Sequence, residues 1–308
     1  MRLPETFIQT IKNTYKEDGE KFLTVLPLLL EEAARRWGLT EITPVPDLSY
    51  NFVAFAKRQG ADVVLKMGVP NRELTGEMNA LKLFNGQGAC QLLDCDEERG
   101  FLLLERVKPG MTLAELEDDD ERTRIAAGLM QSIWRPADRD PQTGQARKFI
   151  QLSDWFAGLG KIRPHFNGGL GPFPKALLET VEAFLPELFA GQAATLLHGD
   201  FHHFNILLSA ERGWLVIDPK GVIGPAGYEA GPLLLNPWHS LGQRAGFKRR
   251  SARRLDILAE HLGWERGILL KWAAAHAVLS AWWCIEDRMD IKYSLQCAEI
   301  FLEMGGWS

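Results

Sequence analysis

The sequence predicts an α+β fold made of two subdomains. Its 308 residues, 46% of them hydrophobic, are enough for two subdomains within one chain. Short β-branched or apolar runs at 61–65 and 100–107 predict strands, and a helix is expected to begin after Thr112. We therefore place a boundary near Val107, with one subdomain over residues 1–107 and the other over residues 108–308.

The first element is expected to be a pair of amphipathic helices that packs on the first subdomain. The apolar segment 22–30 follows a mixed-charge stretch and continues directly into the charged segment 31–37. It lacks a small-residue cleavage site, so it does not match a signal peptide, and it is too short to span a bilayer. We therefore expect neither a secretory leader nor a membrane partner.

Lys66 ends the first predicted strand, and a predicted helix follows it. Glu73 and Glu77 lie four residues apart on one face of that helix. A helical carboxylate could hold the ammonium group of Lys66 in place, and a fixed ammonium neutralises the phosphates of a nucleotide. We favour Glu77 as the partner because it lies one turn nearer the apolar stripe of the helix, with Glu73 as the alternative.

The segment HGDFHHFN, residues 198–205, and the later Asp218 contain the residue types that a phosphoryl-transfer site needs. The loop could point the carboxylate of Asp200 toward a hydroxyl, while Asn205 offers an amide oxygen to a cation. Two short strands, 206–208 and 214–218, predict a hairpin that returns Asp218 to Asn205. Because magnesium prefers oxygen ligands together with phosphates and water, these residues predict a site for nucleotide-bound Mg²⁺.

Three histidines within six residues, His198, His202 and His203, raise the alternative of a zinc site. No H-E-x-x-H helix accompanies them, and oxygen donors of the magnesium type occupy the neighbouring positions. We expect His198 to make backbone hydrogen bonds that shape the loop.

The chain resembles the aminoglycoside/hydroxyurea antibiotic-resistance kinases, the branch that includes streptomycin 6-phosphotransferases. The similarity extends from about Asp47 to the C-terminal helices and rests on segments 198–205, 217–221 and 228–237. It implies a bilobal protein-kinase-like fold with a small N-terminal β-sheet lobe and a larger, mostly helical C-terminal lobe. ATP would bind in the cleft between the lobes.

The resemblance also implies individual roles at the site. Asp200 would be the catalytic aspartate, Asn205 and Asp218 the Mg²⁺ ligands, Lys66 the lysine that binds the ATP phosphates, and Glu77 its partner. These are the same residues that the motif spacing selects.

Two further segments would hold the nucleotide in such a fold. The end of the strand at 100–107 would be the hinge, where backbone groups of Glu105 and Val107 bond the adenine edge. No glycine-rich loop precedes Lys66, and the segment 45–53 takes its place, so Ser49 and nearby amides are expected to approach phosphate. Without the resemblance, these positions are only a strand end and a hairpin tip.

Departures from the protein-kinase pattern favour a small-molecule kinase that needs no activation. Gly199 stands where protein kinases have an arginine, so a phosphorylated activation loop would have no anchor. Pro219 follows Asp218 where protein kinases have a switching phenylalanine. Lys220, next in the chain, either contacts phosphate or pairs with a carboxylate, and the sequence leaves both alternatives open.

We predict an ATP-dependent phosphotransferase that acts on a hydroxyl group of a small molecule, with an aminoglycoside such as streptomycin as the favoured acceptor and antibiotic resistance as the implied role. A metabolic kinase for a sugar, amino alcohol or hydroxyurea-like compound is the alternative, and a nucleotide-binding pseudoenzyme is another. A cationic acceptor needs carboxylates and flat apolar walls, and we select Glu229, Glu286 and Asp287 for this role. Trp282 and Trp283 lie nearby, although helical spacing equally places Trp282 in the core.

The composition is consistent with a small-molecule partner. A net charge of −5 and a pI near 5.9 argue against a nucleic-acid partner, because binding phosphate backbones requires a basic surface. The four cysteines show neither C-x-x-C spacing nor the pattern of a disulfide framework. We therefore expect a cytoplasmic protein.

Overall fold

The N-terminal lobe is an antiparallel sheet flanked by helices, in a computed structural model that describes residues 3–136, 149–191, 193–237 and 244–307. The strand order is β1-β2-β3-β5-β4. The strands are β1 (Leu39–Pro44), β2 (Phe52–Arg58), β3 (Ala61–Met67), β4 (Leu92–Asp96) and β5 (Phe101–Glu105). Both strands predicted in this region are therefore present, and Lys66 lies near the end of β3.

The predicted N-terminal helix pair is present in α1 (Glu5–Trp37). Lys16 interrupts the helical range with a φ of 53° and a ψ of −127°, outside the helical region, so the chain turns there. Apolar side chains from both halves are buried in the same core as the inner face of the sheet, among them Phe7, Ile11, Phe22 and Leu26. The pair packs on the N-terminal lobe, as predicted.

Helix α2 (Arg72–Phe84) begins at a polar cap and packs against the sheet. The side chain of Asn71 accepts hydrogen bonds from the amides of Glu73 at 2.8 Å and Leu74 at 2.9 Å, which satisfies two free donors of the first turn. Its buried face contacts the apolar side chains of β5. This packing turns Glu77 toward β3.

The C-terminal lobe is mostly helical. Its helices are α3 (Asp119–Ile133), α4 (Leu152–Ala157), α5 (Ile162–His165), α6 (Lys175–Ala190), α7 (Ala230–Leu235), α8 (Arg244–Leu262), α9 (Arg266–Glu286) and α10 (Lys292–Gly305). Two small sheets complete it, with the strand orders β10-β9-β6 and β7-β11-β8. Their strands are β6 (Pro109–Thr112), β7 (Ile150–Gln151), β8 (Ala194–Leu197), β9 (Ile206–Ser209), β10 (Gly213–Val216) and β11 (Val222–Pro225).

The chain passes from one lobe to the other at residues 106–108. Strand β5 ends at Glu105, and β6 pairs with β9 of the second lobe. The division of the chain into residues 1–107 and 108–308 stays a prediction.

Helix α9 is the central element of the C-terminal core. It is the one helix in the described ranges that is long and apolar enough to cross a membrane, and 78% of its apolar window is buried inside the lobe. A core helix meets the same criteria, so its composition is weak evidence for a membrane span. Trp282 is among its buried residues, which confirms the core alternative for that side chain.

Candidate active site

Hydrogen bonds made by His198 connect the loop at 198–205 to the loop at 217–221. Its Nδ1 accepts from the amide of Asp200 at 3.2 Å, so its Nε2 bears the proton and donates to the carbonyl of Ile217 at 2.8 Å. Its carbonyl accepts from the amide of Lys220 at 2.6 Å. Burial lowers the pKa of His198 to about 4, consistent with a neutral ring. The structure confirms the predicted loop-shaping role of this histidine.

Gly199 is required by its surroundings. Its φ of +86° is strained for other residues, and a Cβ atom would lie 2.8 Å from Cγ2 of Val222 and 3.2 Å from Cη2 of Trp155. No side chain fits there, which explains in physical terms why the arginine of protein kinases is replaced by glycine.

Asp200 presents an ionised carboxylate to the cleft. Its side chain is 36% exposed, and Oδ1 lies 3.5 Å from Nε2 of His202. Burial would raise the pKa of Asp200, but His202 and Lys220 outweigh it and hold that pKa below its ordinary value. The group is therefore available to orient a hydroxyl and accept its proton.

Asn205 and Asp218 are brought together by the hairpin of β9 and β10. The carbonyl of Asn205 accepts a hydrogen bond from the amide of Ile217 at 2.9 Å, so Asp218 follows directly. The Nδ2 group of Asn205 donates to the carbonyl of Asp200 at 3.0 Å, which leaves Oδ1 as the atom that can ligate a cation. An amide oxygen and a carboxylate suit Mg²⁺.

Lys66 makes the buried ion pair predicted for a phosphate lysine. Its Nζ lies 2.7 Å from Oε2 of Glu77 and 2.5 Å from Oδ1 of Asp218. The side chain of Glu73, the alternative partner, is exposed at the start of α2. Burial would lower the pKa of Lys66, but Asp218 and Glu77 raise it overall, so the ammonium is charged. Burial raises the pKa of Glu77 to about 6 in spite of the lysine.

Lys220 lies on the other side of Asp218. Its Nζ is 3.8 Å from Oδ2 of that carboxylate, and Asp218 raises the pKa of the lysine. Burial would raise the pKa of Asp218, but Lys220 and Lys66 together hold it well below its ordinary value. Of the two alternatives for Lys220, the structure shows the carboxylate pairing, and a phosphate contact stays a prediction.

Two glycines allow the backbone of α2 to contact the backbone of the loop at 217–221. The sequence analysis missed this contact. A Cβ atom on Gly76 would lie 2.6 Å from the carbonyl oxygen of Lys220, and one on Gly221 would lie 2.3 Å from the carbonyl oxygen of Gly76. Because a glycine inside a helix costs stability, Gly76 was the sequence feature that could have indicated a close backbone contact at this position. The contact fixes Glu77, the next residue, beside Asp218.

We expect Gly76→Ala to push α2 away from the loop at 217–221. The substitution should lower the free energy of unfolding by about 1–3 kcal/mol and raise the KM for ATP, because Lys66 and Glu77 lose their alignment. Gly128→Ala in α3, where a Cβ atom meets nothing within 4 Å, is the matched control and should be neutral or stabilising. Chemical denaturation and steady-state kinetics measure both effects, and identical behaviour of the two variants would contradict the contact's role.

Glu229, predicted to contact substrate, is a buried support for the catalytic loop. Its side chain is fully buried, and Oε1 accepts hydrogen bonds from the amides of His198 at 2.5 Å and Gly199 at 3.3 Å. A carboxylate enclosed in this way does not meet a substrate, so the prediction is corrected. The sequence held no local signal, because the residues involved are about thirty positions apart.

Burial raises the pKa of Glu229 from its ordinary value of 4.5 to about 8. The folded protein therefore binds this proton more tightly than the unfolded chain, and the stability it contributes is lost as pH rises through that interval. Glu229→Gln keeps an oxygen acceptor and cannot ionise. We expect the unfolding free energy of this variant, relative to that of wild type, to increase as pH rises from about 5 to about 8.

Denaturant titrations of both proteins across this range measure the difference between them. Glu117→Gln, at an exposed position, is the control and should track wild type throughout. A constant difference for Glu229→Gln would mean that the carboxyl group does not change its protonation state in this range.

Three residues were predicted to bind the nucleotide, and the structure restricts how one of them could do so. Ser49 is exposed in the turn between β1 and β2. The amide of Glu105 donates to the carbonyl of Gln91 at 3.0 Å, so a contact of Glu105 with adenine would have to use its carbonyl. Its side chain pairs with Arg212. The contacts of Ser49, Glu105 and Val107 with ATP stay predictions.

Glu286 and Asp287 lie at the end of α9. Glu286 is 3.4 Å from Nζ of Lys161, and Asp287 accepts a hydrogen bond from the hydroxyl of Tyr50 at 3.2 Å. Trp155, which the sequence analysis missed, lies beside Gly199 in the same region. The contacts of Glu286 and Asp287 with an acceptor stay predictions.

The zinc alternative gains no support from the described part of the chain, where no group of three or more His, Cys, Asp or Glu side chains is arranged to hold a metal ion. Both ring nitrogens of His203 are buried without a hydrogen-bond partner, and burial lowers the pKa of that ring well below its ordinary value.

Comparison with known proteins agrees with this geometry. The model of the family described as aminoglycoside/hydroxyurea antibiotic resistance kinase matches residues 36–288. The chain belongs to this family. Among similar proteins, streptomycin 6-kinase of Streptomyces glaucescens is 30% identical over 290 residues, covering 93% of this chain and 92% of that relative.

A second sequence relative and a solved structure are also similar to this chain. Hydroxyurea phosphotransferase of Kitasatospora aureofaciens is 32% identical over 273 residues, which cover 87% of this chain and 76% of that relative. The crystal structure of choline kinase LicA from Streptococcus pneumoniae superposes with a TM-score of 0.63 at 12% identity, covering 92% of this chain and 100% of that one. At such identity it shows the fold alone. The predicted family, the bilobal kinase-like fold and the phosphotransferase class are confirmed.

Proposed function

We propose that this kinase transfers the γ-phosphoryl group of ATP to a hydroxyl of an aminoglycoside, with streptomycin the first acceptor to test. The observation that supports this most directly is the joint placement of Asp200, Asn205 and Asp218 around one cleft, with Lys66 paired to Glu77 beside them. The 30% identity to a streptomycin 6-kinase over almost the whole chain favours that acceptor.

Each side chain has a part in the proposed reaction. Lys66, held by Glu77, neutralises charge on the ATP phosphates, and Ser49 with backbone groups of Glu105 and Val107 positions the nucleotide. Asp200 orients the acceptor hydroxyl and takes its proton as the new P–O bond forms.

Asn205 and Asp218 would hold Mg²⁺, whose oxygen preference their donor atoms match. When bound, that ion would neutralise phosphate charge that develops during transfer. The remaining rate effect comes from positioning, because in-line transfer needs little covalent assistance from the protein.

Hydroxyurea is a second candidate acceptor, because a hydroxyurea phosphotransferase is 32% identical over most of the chain. A metabolic kinase for a sugar or amino alcohol is a further alternative. The complete set of Lys66, Asp200, Asn205 and Asp218 argues against a pseudoenzyme. We further propose a cytoplasmic location, where ATP is available and the four cysteines, free in the structure, stay reduced.

The deciding experiment incubates the purified protein with Mg-ATP and streptomycin, hydroxyurea, an amino sugar, choline or homoserine, one at a time. ADP release coupled to the mass gain of one phosphoryl group on streptomycin is the expected result, and NMR of the product identifies the modified hydroxyl. ATP binding without any phosphorylated product would overturn the proposal and favour a pseudoenzyme. Product from a neutral acceptor alone would replace streptomycin as the substrate.

A further inference from the structure

A half-buried aromatic pair stands beside the catalytic loop. Trp155 of α4 and Trp283 of α9 meet edge to face, with ring centroids 5.3 Å apart at 89°. Cη2 of Trp155 lies 3.2 Å from where a Cβ atom on Gly199 would be, next to Asp200. Trp155 also packs on the buried ring of Tyr228, at 6.1 Å between centroids, which fixes its position. The pair therefore forms a rigid apolar wall within reach of the reacting hydroxyl.

Tyr50, on the turn between β1 and β2, reaches the same end of α9 as Trp283. Its hydroxyl crosses between the lobes and donates to Oδ2 of Asp287 at 3.2 Å. The amide of Asp287 donates to the carbonyl of Trp283 at 2.9 Å, so this carboxylate lies one turn from the aromatic pair. Burial and the charge of Asp287 raise the pKa of Tyr50 to about 12, while Lys220 acts in the opposite direction. Tyr50 therefore links the N-terminal lobe to the carboxylate that follows the aromatic pair.

Three carboxylates lie next to the aromatic pair in the chain. Asp154, which precedes Trp155, is more than half exposed and lies 3.9 Å from Arg72, too far for a strong ion pair. Glu286 and Asp287 follow Trp283 at the end of α9, with Nζ of Lys161 3.4 Å from Glu286. A flat apolar wall bordered by partly solvated carboxylates suits a ring that bears positive charge, because a cation gains from both the aromatic faces and the carboxylates.

On the basis of the proposed function, we infer that the surface formed by Trp155, Trp283, Tyr50 and Asp287 receives the cationic part of the acceptor, and that Trp155 determines acceptor specificity. A planar guanidinium group lies against the indole face, and Asp287 exchanges its hydrogen bond from Tyr50 for one from the acceptor. A small neutral acceptor such as hydroxyurea reaches Asp200 without using this wall.

The test compares steady-state kinetics with streptomycin and with hydroxyurea for wild type, Trp155→Leu, Trp155→Phe and Asp287→Asn. For Trp155→Leu we expect the streptomycin KM to rise roughly five- to thirtyfold, the equivalent of one cation–π contact, with little change in the hydroxyurea KM. Trp155→Phe should give a smaller rise. Asp287→Asn, an exposed substitution, should also raise only the streptomycin KM.

Trp264→Phe is the matched control, because Trp264 stacks on Trp134 at 5.1 Å, apart from the aromatic pair described above, and should match wild type with both acceptors. Equal changes with both acceptors, or no change with either, would overturn the inference while leaving the kinase intact. If Trp155→Leu fails to fold, Trp155→Phe and Asp287→Asn decide by the same criterion. A wild type that phosphorylates only hydroxyurea also overturns the inference, and one that phosphorylates neither acceptor overturns the proposed function itself.

Discussion

Asp200→Ala is expected to lower kcat by roughly 10²–10⁴-fold, the usual contribution of a positioned proton acceptor. The Kd for ATP should change little, because the carboxylate is one-third exposed in the cleft and is not part of the Lys66 ion pair. Removing it also spares the fold, since the backbone carbonyl of residue 200 still accepts from Asn205. Product formation in single-turnover assays and calorimetric titration with ATP separate the two effects.

Two variants make this test specific. Asp200→Asn keeps the shape of the side chain and removes its basicity, so it should be almost as inactive as alanine. Asp18→Asn changes an exposed carboxylate whose ion pair, within the described residues, is with Lys21, and it should behave as wild type. Undiminished turnover by Asp200→Ala would overturn the assignment of the catalytic aspartate.

Much of the site could be predicted because its geometry is encoded over short distances in the chain. Asp200 and Asn205 share one loop, and the hairpin of β9 and β10 returns Asp218 to them. The strand prediction was wrong only in its end, since β10 stops at Val216 and Asp218 takes a φ of 57° beyond it. The pairing of Lys66 with Glu77 could be predicted because Glu77, on the same helical face as Glu73, lies one turn nearer the apolar stripe that packs on the sheet.

What the sequence could not supply are contacts between distant segments. Glu229 supports the catalytic loop from about thirty residues away. A glutamate that accepts backbone hydrogen bonds in the interior cannot be distinguished in a sequence from a glutamate on the surface. Trp155 and Tyr50 are likewise assigned to the cleft only by packing across elements. Such residues need the tertiary structure, because their function depends on burial and neighbours rather than on local spacing.

Asp218→Ala is expected to weaken Mg-ATP binding by roughly ten- to a hundredfold, as loss of a metal-site group commonly does. The physical reason lies in its two partners. Without nucleotide, Asp218 balances the ammonium groups of Lys66 and Lys220, at 2.5 Å and 3.8 Å. Without this carboxylate, both ammonium groups are left to attract ATP that carries no metal, so affinity measured in EDTA should fall far less or even increase.

The ratio of ATP affinities with Mg²⁺ and with EDTA is therefore the decisive quantity, and it should approach one in Asp218→Ala. Glu182→Gln, which breaks the ion pair with Arg163 at 2.6 Å, controls for the loss of a paired carboxylate and should keep the wild-type ratio. A variant that loses affinity equally in both conditions would show that Asp218 acts by shaping the cleft. A lost ratio with retained EDTA affinity would instead place the cation at Asp218, because an ion bound there makes the Mg²⁺-dependent part of the ATP affinity depend on this carboxylate.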